Sequence, residues 1–441
     1  MTASHDAQVG LETFQAKLEQ GDFHAVVVGA GYVGLPLAVA MAKAGVRTTL
    51  LEKNAEKVAL VQTGESYVKD VSDEDLVEVS AVLDATTDSS VLASADAVII
   101  CVPTPLSKSK DPDVSFIMSA ADPIAEHLHP GQLVVLESTT YPGFTREVLK
   151  PRLERTGLKA GEDFYLAFSP ERVDPGNEHY GVHNTPKVVG GCSQACRDRV
   201  LALYGRFIDQ LVPVSSADAA EMVKLLENTF RAVNIALVNE VALMCRRLGI
   251  DTWEVIDAAS TKPFGFMPFY PGPGLGGHCL PIDPLYLSWK LKTLKYTARF
   301  VELAEDVNAN MPRLVVDLIQ DALNDHGKAV RGSKILVMGV AYKKDIDDIR
   351  ESPALDVIDM LHDKGAVVSY HDPFVGKLSR SWVEAESVPL ENLESYDCVA
   401  VLTDHSAIDY RRIVEESRLV VDTRNATKAL RSEFEDRIRV L

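Results

Sequence analysis

The sequence predicts an α/β protein built of two Rossmann-like, doubly wound parallel-sheet domains joined by a long central helix. Three observations carry that expectation. Short apolar runs alternate with helix-like stretches from His24 onward, Ala217 to Leu248 contains neither Gly nor Pro, and the alternation resumes after Gly332. A chain of 441 residues exceeds one ordinary core. The expected boundaries are an N-terminal extension (1–22), a first sheet domain (23–212), a central helical domain (213–312) and a second sheet domain (313–441).

The elements follow in order. His24 to Val28 (HAVVV) reads as a buried strand, and Gly29-Ala30-Gly31-Tyr32-Val33-Gly34 then opens a helix running to about Lys43. Gly45 stands where a helix C′ glycine belongs. The strand Arg47 to Leu51 ends at Glu52, and further strands are expected at Ala97 to Cys101, Leu133 to Leu136 and Tyr165 to Phe168. Ala217 to Leu248, rich in Ala, Leu, Val and Met and closed by Gly249, has the character of a domain connector or a dimer core. Beyond it come a strand (Lys334 to Val340), a helix (Pro353 to Lys364) and a strand (Val367 to Tyr370). Gly365 repeats the role of Gly45 and Asp372 that of Glu52. The turn Gly339-Val340-Ala341-Tyr342 nevertheless lacks the remaining glycines of its counterpart.

Composition narrows the function. Hydrophobic residues are 46% and charged residues 25%, as in a globular protein. No apolar run approaches the roughly 20 residues of a membrane span, and Met1 to Phe23 has no signal-peptide core, so no membrane partner and a cytoplasmic location are expected. The net charge of −19, from 45 basic and 64 acidic residues, argues against nucleic acid, whose affinity comes from neutralised phosphates. A few local donors can still hold a small anionic ligand. The six cysteines lack paired zinc-type spacing, so no metal is expected.

The G-x-G-x-x-G run follows a strand, opens a helix and precedes an acidic residue by 18 positions. That context fits a dinucleotide: a tight turn, close approach of backbone to pyrophosphate, close helix–strand packing and free N–H groups at the helix start. Glu52 can accept from ribose hydroxyls and would repel a 2′-phosphate, which favours NAD over NADP. A glycine-rich turn without a ligand is the bland alternative. Other notable runs stand after strands of the same sheet: Cys101-Val102-Pro103-Thr104-Pro105, Glu137-Ser138-Thr139-Thr140 and Ser169-Pro170-Glu171-Arg172. In open α/β sheets ligands sit at that edge, though Pro, Ser and Thr there also serve as ordinary loop punctuation. On the long helix Lys224, Asn228 and Arg231 share one face at i, i+4 and i+7; a solvated stripe would look the same. Gly272-Pro273-Gly274-Leu275-Gly276-Gly277-His278-Cys279 concentrates four glycines in six residues, with Asp283 four beyond the cysteine. So many glycines are entropically costly, which suggests a required backbone path and a placed rather than merely packed thiol.

At these residues the chain resembles the nucleotide-sugar 6-dehydrogenases that act on UDP-glucose, UDP-N-acetylglucosamine or UDP-N-acetylmannosamine. The resemblance runs from about His24 to Asn425 and rests on GAGYVGLP, CVPTP, ESTTYPG, SPERVDPGN, KLLENTFR, KPFGFMPFYPGPGLGGHCLPIDP and AYKKDIDDIRESPA. The SPERVDPGN and YPGPGLGGHC wording is most similar to UDP-N-acetylglucosamine 6-dehydrogenases. Some relatives acting on N-acetylmannosamine carry a His and an Arg where this chain has Pro263 and Gly265.

The resemblance implies a nucleophile at Cys279, oxygen-holding Lys224 and Asn228, an acidic partner at Asp283 and the SPER glutamate at Glu171. It implies substrate contacts from Arg172, Val173, Arg231, Gly276, Tyr342 and Lys343, and NAD contacts from Tyr32, Val33, Glu52, Lys57, Thr104, Thr139 and Arg350, beside Gly29, Gly31 and Gly34. Thr139 counts also with the catalytic group, and Tyr270 joins Phe264, Phe266 and Phe269 as an expected wall beside the sugar. The first sheet domain would then bind NAD, the second the UDP-sugar, and the central one would carry the catalytic Lys and Cys and form a homodimer or higher oligomer. Cys279 would form a thiohemiacetal with the C6 aldehyde, then a thioester. Two other classes stay open: a two-electron hydroxy-acid-type dehydrogenase, which needs no cysteine, and an NAD- or UDP-sensing protein without turnover.

Overall fold

The computed structural model describes every residue except Met1, Lys108, Ser109, Pro175, Gly176, Glu178, His278, Ser381 and Trp382, and for residues 2–8 and Val383 the backbone alone. Pro175 and Gly176 of the SPERVDPGN run and His278 of the GGHC run thus lie outside the described residues. The chain divides into two compact units, residues 1–227 with 289–295 and residues 228–288 with 296–441.

The first unit is organised by one sheet: β1 (His24–Val28), β2 (Arg47–Leu51), β3 (Leu83–Thr86), β4 (Ala97–Ile100), β5 (Leu133–Leu136), β6 (Tyr165–Phe168), β7 (Lys187–Gly191) and β8 (Leu211–Pro213). Their order is β3-β2-β1-β4-β5-β6-β7-β8. β1, β4, β5 and β6 are buried along their whole length, which is why they read as nearly continuous apolar runs. The sequence led us to expect parallel pairing throughout. It holds from β3 to β6, but β7 runs antiparallel to β6 and then pairs in parallel with β8. The order reverses between β1 and β4, the switch point at whose carboxyl ends ligands sit in such sheets.

The N-terminal extension is a helix, Thr2–Gln20. Phe14 and Leu18, one turn apart, are buried, and Phe14 meets Phe23 edge-on at 4.8 Å. It packs on the helix Gln194–Tyr204, whose Arg199 is buried with its guanidinium 3.3 Å from the Tyr165 ring centroid.

In the second unit β9 (Lys334–Met338), β10 (Val367–His371), β13 (Cys398–Val401), β14 (Val420–Asp422) and β15 (Ile438–Val440) form an all-parallel sheet of order β10-β9-β13-β14-β15. The strands β11 (Lys377–Arg380) and β12 (Val383–Glu386) make a separate antiparallel pair. This sheet is again doubly wound, with its switch point between β9 and β13. The helix Arg299–Asp325 packs Met311, Val315, Ile319 and Leu323 into the core, and residue 312 falls inside it.

The long helix spans Ala217–Leu248, the limits expected from the sequence. Within the second unit it anchors the glycine loop through a buried asparagine pair. Asn239 Nδ2 donates to Asn308 Oδ1 (3.0 Å), Asn308 Nδ2 to the Ala232 carbonyl (3.2 Å), and the Gly272 N–H to Asn239 Oδ1 (3.0 Å). Each buried amide is thereby satisfied, which makes the start of the loop costly to displace.

Candidate active site

In the first unit the turn after β1 needs two of its three glycines for the protein itself. Gly29 has φ of 97°, and a Cβ there would lie 2.5 Å from the Cys101 carbonyl oxygen; a Cβ on Gly34 would overlap the Gly29 carbonyl. Gly31 differs, because a Cβ there would meet no protein atom within 4 Å. Only a ligand approaching the backbone would require that glycine. The helix Gly34–Lys43 begins without a side-chain cap; the Leu35 N–H donates to the Gly31 carbonyl (3.1 Å) and Pro36 has no N–H, so donors to an anion would come from the turn before it, residues 31–34. Glu52 is half-buried at the end of β2; Oε2 accepts from the Ala30 N–H (2.9 Å) and Oε1 from the Asn54 N–H (3.0 Å). Each oxygen retains a lone pair for a hydroxyl. Tyr67, unforeseen from the sequence, donates its hydroxyl to the Ala30 carbonyl at 2.7 Å, with Lys57 Nζ 5.2 Å from its ring centroid. Tyr32 is exposed, and Val33, Thr104 and Thr139 are half-buried. Ser138 Oγ accepts from the Val102 N–H (2.9 Å) and donates to its carbonyl (2.8 Å), joining the segments that carry Thr104 and Thr139. This donor set and open glycine fit a dinucleotide.

A charged cluster lies farther along the same sheet edge. Glu171 Oε1 accepts from the Arg172 N–H (2.7 Å) and the Val173 N–H (2.6 Å), and Oε2 lies 3.0 Å from Lys187 Nζ. Lys187 also meets Glu137 Oε2 at 2.7 Å, and Tyr204 donates its hydroxyl to Glu137 Oε1 at 2.5 Å. Burial pushes the Glu171 carboxyl up, but the Lys187 charge and the Val173 N–H outweigh it and hold the group below its ordinary value. For Glu137 burial wins, and its carboxyl is raised. Arg172 donates to the Pro186 carbonyl (2.5 Å) and pairs with Glu227 (2.7 Å). Lys224 Nζ donates to the Glu171 carbonyl at 2.6 Å. One turn earlier on the helix, Glu221 is fully buried and accepts from the Gly143 N–H (2.6 Å), the Thr145 N–H (2.9 Å) and the Thr145 hydroxyl (2.6 Å). It thereby ties down the loop that follows Thr139.

The second unit carries the thiol. Cys279 is half-buried, and its carbonyl accepts the Asp283 N–H at 2.8 Å, which sets Asp283 one turn beyond it. Asp283 is buried and its Oδ2 accepts from Asn228 Nδ2 at 2.5 Å. The glycines before the thiol answer to Tyr342: a Cβ on Gly276 would strike Tyr342 Cβ, and one on Gly277 would come within 2.9 Å of its ring. The Gly277 N–H donates to the Arg350 carbonyl at 2.9 Å, while the exposed Arg350 guanidinium lies on Asp348 at 2.6–3.0 Å. Lys343 is half-buried and Arg231 exposed. Tyr270 stacks on Trp253 at 5.8 Å, and Phe269 meets Phe230 of the long helix at 5.9 Å, whereas Phe264 is 72% and Phe266 43% exposed.

Of the helix-face trio, then, Lys224 and Asn228 are half-buried and held by polar partners, and Arg231 alone fits a solvated stripe. Sequence reasoning missed Lys187, Tyr204 and Glu221 as members of the site. A lysine opening an apolar strand looks like a solvated strand start, and its partners stand 50 and 16 residues away. Glu221, at i−3 from Lys224, could have been found by extending the helix-face argument one turn back.

Three family models match in sequence along the chain: the NAD binding domain of the UDP-glucose/GDP-mannose dehydrogenase family over residues 24–208, its central domain over 218–310, and its UDP binding domain over 336–429. The chain belongs to this family. It is an NAD-dependent nucleotide-sugar dehydrogenase with a UDP-sugar-binding domain. Among family members, the UDP-N-acetyl-D-glucosamine 6-dehydrogenase of Pseudomonas aeruginosa is 36% identical over 392 residues, 88% of this chain and 89% of that one. The UDP-N-acetyl-D-mannosamine dehydrogenase of Pyrococcus horikoshii is 35% identical over 410 residues, 91% and 95% of the two chains. The solved structure of the Pyrococcus horikoshii enzyme superposes with a TM-score of 0.84 at 33% identity, covering 92% of this chain and 96% of that one. No helix among the described residues is long and apolar enough to cross a membrane.

Proposed function

We propose that this dehydrogenase carries out the four-electron oxidation of the C6 hydroxyl of UDP-N-acetylglucosamine to the uronate, through a thiohemiacetal and a thioester on Cys279. The observation that carries the covalent route is the polar set around the thiol: Asp283 one turn beyond Cys279, with Asn228 donating to its carboxylate. A two-electron dehydrogenase would need no such thiol.

Gly29, Gly31, Tyr32, Val33, Gly34, Glu52, Lys57, Thr104, Thr139 and Arg350 would hold NAD, which when bound accepts the electron pair in each of the two oxidations. Lys224 and Asn228, one turn apart on one helix, steady the C6 oxygen while Lys224 and Asp283 hold the base or ordered water that takes the hydroxyl proton. The Cys279 thiolate adds to the aldehyde carbon, so the aldehyde cannot escape and its carbon is set up for the second oxidation. The resulting thioester is cleaved by water, with Asp283 or Glu171 taking its proton, which returns the thiolate and releases the carboxylate. Aimed donors such as Lys224 and Asn228 contribute on the order of 3–4 kcal/mol each to oxygen-charged transition states.

Arg172, Val173, Arg231, Tyr270, Gly276, Tyr342 and Lys343 would hold the substrate, with the NAD site in 23–212, the central segment 213–312 and the UDP-sugar site in 313–441. Met222, Leu226, Phe230, Leu237, Met244 and Leu248 form an exposed apolar stripe on the long helix, which supports a homodimer. The reading places the enzyme in the cytoplasm, where its six cysteines stay reduced.

The acetamido assignment is supported by the aromatic loop before the thiol, whose Phe264, Phe266 and Tyr270 keep large exposed surfaces. An apolar wall filled by one methyl is worth about 1–3 kcal/mol, so kcat/KM for UDP-N-acetylglucosamine should exceed that for UDP-glucose at least about tenfold. Parallel assays with UDP-glucose, UDP-N-acetylglucosamine and UDP-N-acetylmannosamine decide it. A better rate with either of the other two sugars rejects the assignment and leaves the reaction class standing.

A further inference from the structure

Lys187 opens β7, yet its side chain is only 4% exposed and its ammonium stands between two carboxylates, Glu137 and Glu171. One lysine between two carboxylates is a charged cluster in a low-dielectric interior. Such a group is a poor source of stability compared with apolar packing. Its geometry offers another use. The Glu171 carboxylate has three of its four acceptor positions filled, two by the Arg172 and Val173 N–H groups and one by Lys187, so it is fixed in direction with one position open. The carbonyl of the same residue accepts from Lys224 Nζ at 2.6 Å. Behind Lys187, Glu137 is locked by the fully buried Tyr204 hydroxyl. A continuous polar chain thus runs from Tyr204 through Glu137, Lys187 and Glu171 to Lys224.

We propose that Lys187, backed by Glu137 and Tyr204, is a positioning residue: it fixes the Glu171 carboxylate and, through the backbone of that residue, the Lys224 ammonium. This rests on the catalytic reading of Glu171 and Lys224 given above. The groups facing Glu171 are Lys187 from β7, Glu137 from the end of β5, the Cys101 thiol from the end of β4, Tyr204 from the helix Gln194–Tyr204, and Lys224 from the long helix. Burial holds the Cys101 thiol and the Tyr204 hydroxyl well above their ordinary values, which leaves both neutral, so the local charge is set by the two carboxylates and two ammonium groups. Deleting the Lys187 charge should therefore raise the Glu171 titration midpoint. Neutralising Glu137 leaves Lys187 wholly to Glu171 and should lower it. Opposite shifts show that both neighbours act on the Glu171 carboxylate, while a loss of kcat at constant KM that Lys187→Arg restores is what a merely structural cluster would not give.

The test is 13C NMR titration of the Glu171 carboxyl in the full-length enzyme, its resonance assigned by its loss in Glu171→Gln, together with steady-state kinetics. Lys187→Met should raise the midpoint by about one unit or more and cut kcat by roughly thirtyfold with little change in the KM for the UDP-sugar, and Lys187→Arg should restore most of both. Glu137→Gln, nearly isosteric, should lower the midpoint and reduce kcat with little change in KM, and this pair of readouts decides if Lys187→Met does not fold. Midpoints that stay in place in the folded variants, or that move in the same direction, overturn the proposal even if Glu171→Gln is inactive. Midpoints that move as expected while Glu171→Gln keeps the wild-type kcat leave the clamp standing and reject the catalytic reading of Glu171.

Discussion

In both sheets the first strand runs into a glycine of positive φ, and the two turns begin alike. Gly29 (φ 97°) donates its N–H to the Leu51 carbonyl at 2.9 Å, and Gly339 (φ 81°) to the His371 carbonyl at 2.8 Å. A Cβ on either would lie 2.5 Å from the segment after the next parallel strand, Cys101 in one case and Thr403 in the other. Beyond that glycine they part. In the first sheet Gly31 leaves open backbone, and Glu52 is half-buried with acceptor positions to spare. In the second, Val340 and Ala341 are fully buried, and the equivalent acid, Asp372, is 3% exposed. Its Oδ2 accepts from Val340 N (2.7 Å), Ala341 N (3.1 Å) and His405 Nε2 (3.0 Å), and its Oδ1 from Phe374 N (2.9 Å) and Val375 N (3.2 Å). The Asp345 N–H donates to His405 Nδ1 at 3.0 Å, so the ring proton is on Nε2 and points at Asp372. The same strand–turn–acid scheme thus presents an acid to a ligand in one sheet and consumes it as internal scaffolding in the other.

The harshest way to break this comparison is at the third glycine. A methyl on Gly34 would overlap the Gly29 carbonyl, so Gly34→Ala should cost about 3 kcal/mol or more and abolish NAD binding. Lys344, five residues after Gly339 as Gly34 is after Gly29, is exposed, and Lys344→Ala should cost under about 0.5 kcal/mol. Gly31→Ala should spare stability and weaken only NAD. Thermal unfolding and calorimetric titration with NAD measure all three; a stable Gly34→Ala protein with normal NAD affinity would remove the steric argument.

The paired acids come next. Asp372→Ala leaves four backbone N–H groups and His405 without their acceptor and should cost about 2–3 kcal/mol or more, with no change in the NAD/NADP preference. Glu52→Ala should do the reverse, weakening NAD by roughly tenfold, or about 1.4 kcal/mol, and relaxing discrimination against NADP while the fold holds. A wild-type enzyme that uses NADP as well as NAD would contradict the role given to Glu52.

Two buried acids, one in each unit, carry opposite pH signs. In the second, burial raises the Asp372 carboxyl, but His405 and the Val340 N–H outweigh it and hold it below its ordinary value. Its contribution is present above the unfolded pKa and is lost as pH falls through the folded one. In the first, burial outweighs the Thr145 and Gly143 donors and pushes Glu221 up from 4.5 to about 7. A raised folded pKa means a contribution present at low pH that is lost as pH rises through about 7. Glu221→Gln should therefore flatten the fall in Tm between pH 5 and 7.5, a few degrees on the order of 1–2 kcal/mol. An unchanged slope would show that the three donors keep Glu221 ionised.

Much of this architecture was legible in the chain. The limits of the long helix followed from an apolar run without Gly or Pro closed by Gly249, and the dinucleotide turn from glycines placed between strand and helix. The antiparallel β7 was not, because strand direction leaves no local mark in a sequence of alternating elements. Nor was the helix Thr2–Gln20, in which Phe14 and Leu18 are the buried apolar side chains among those described, with mostly polar neighbours. Of the site, Cys279, Lys224, Asn228, Asp283 and Glu171 could be named because they sit in recognisable runs. Lys187 and Tyr204 could not, since their meaning lies in contacts across the sheet rather than in spacing.

The central claim is a double oxidation through Cys279, and the count of NADH per sugar tests it most directly. Complete conversion of a limiting UDP-N-acetylglucosamine should yield two NADH and one uronate, and Cys279→Ala should yield no uronate. One NADH per sugar with an aldehyde product, or acid from Cys279→Ala at near the wild-type rate, would contradict the account.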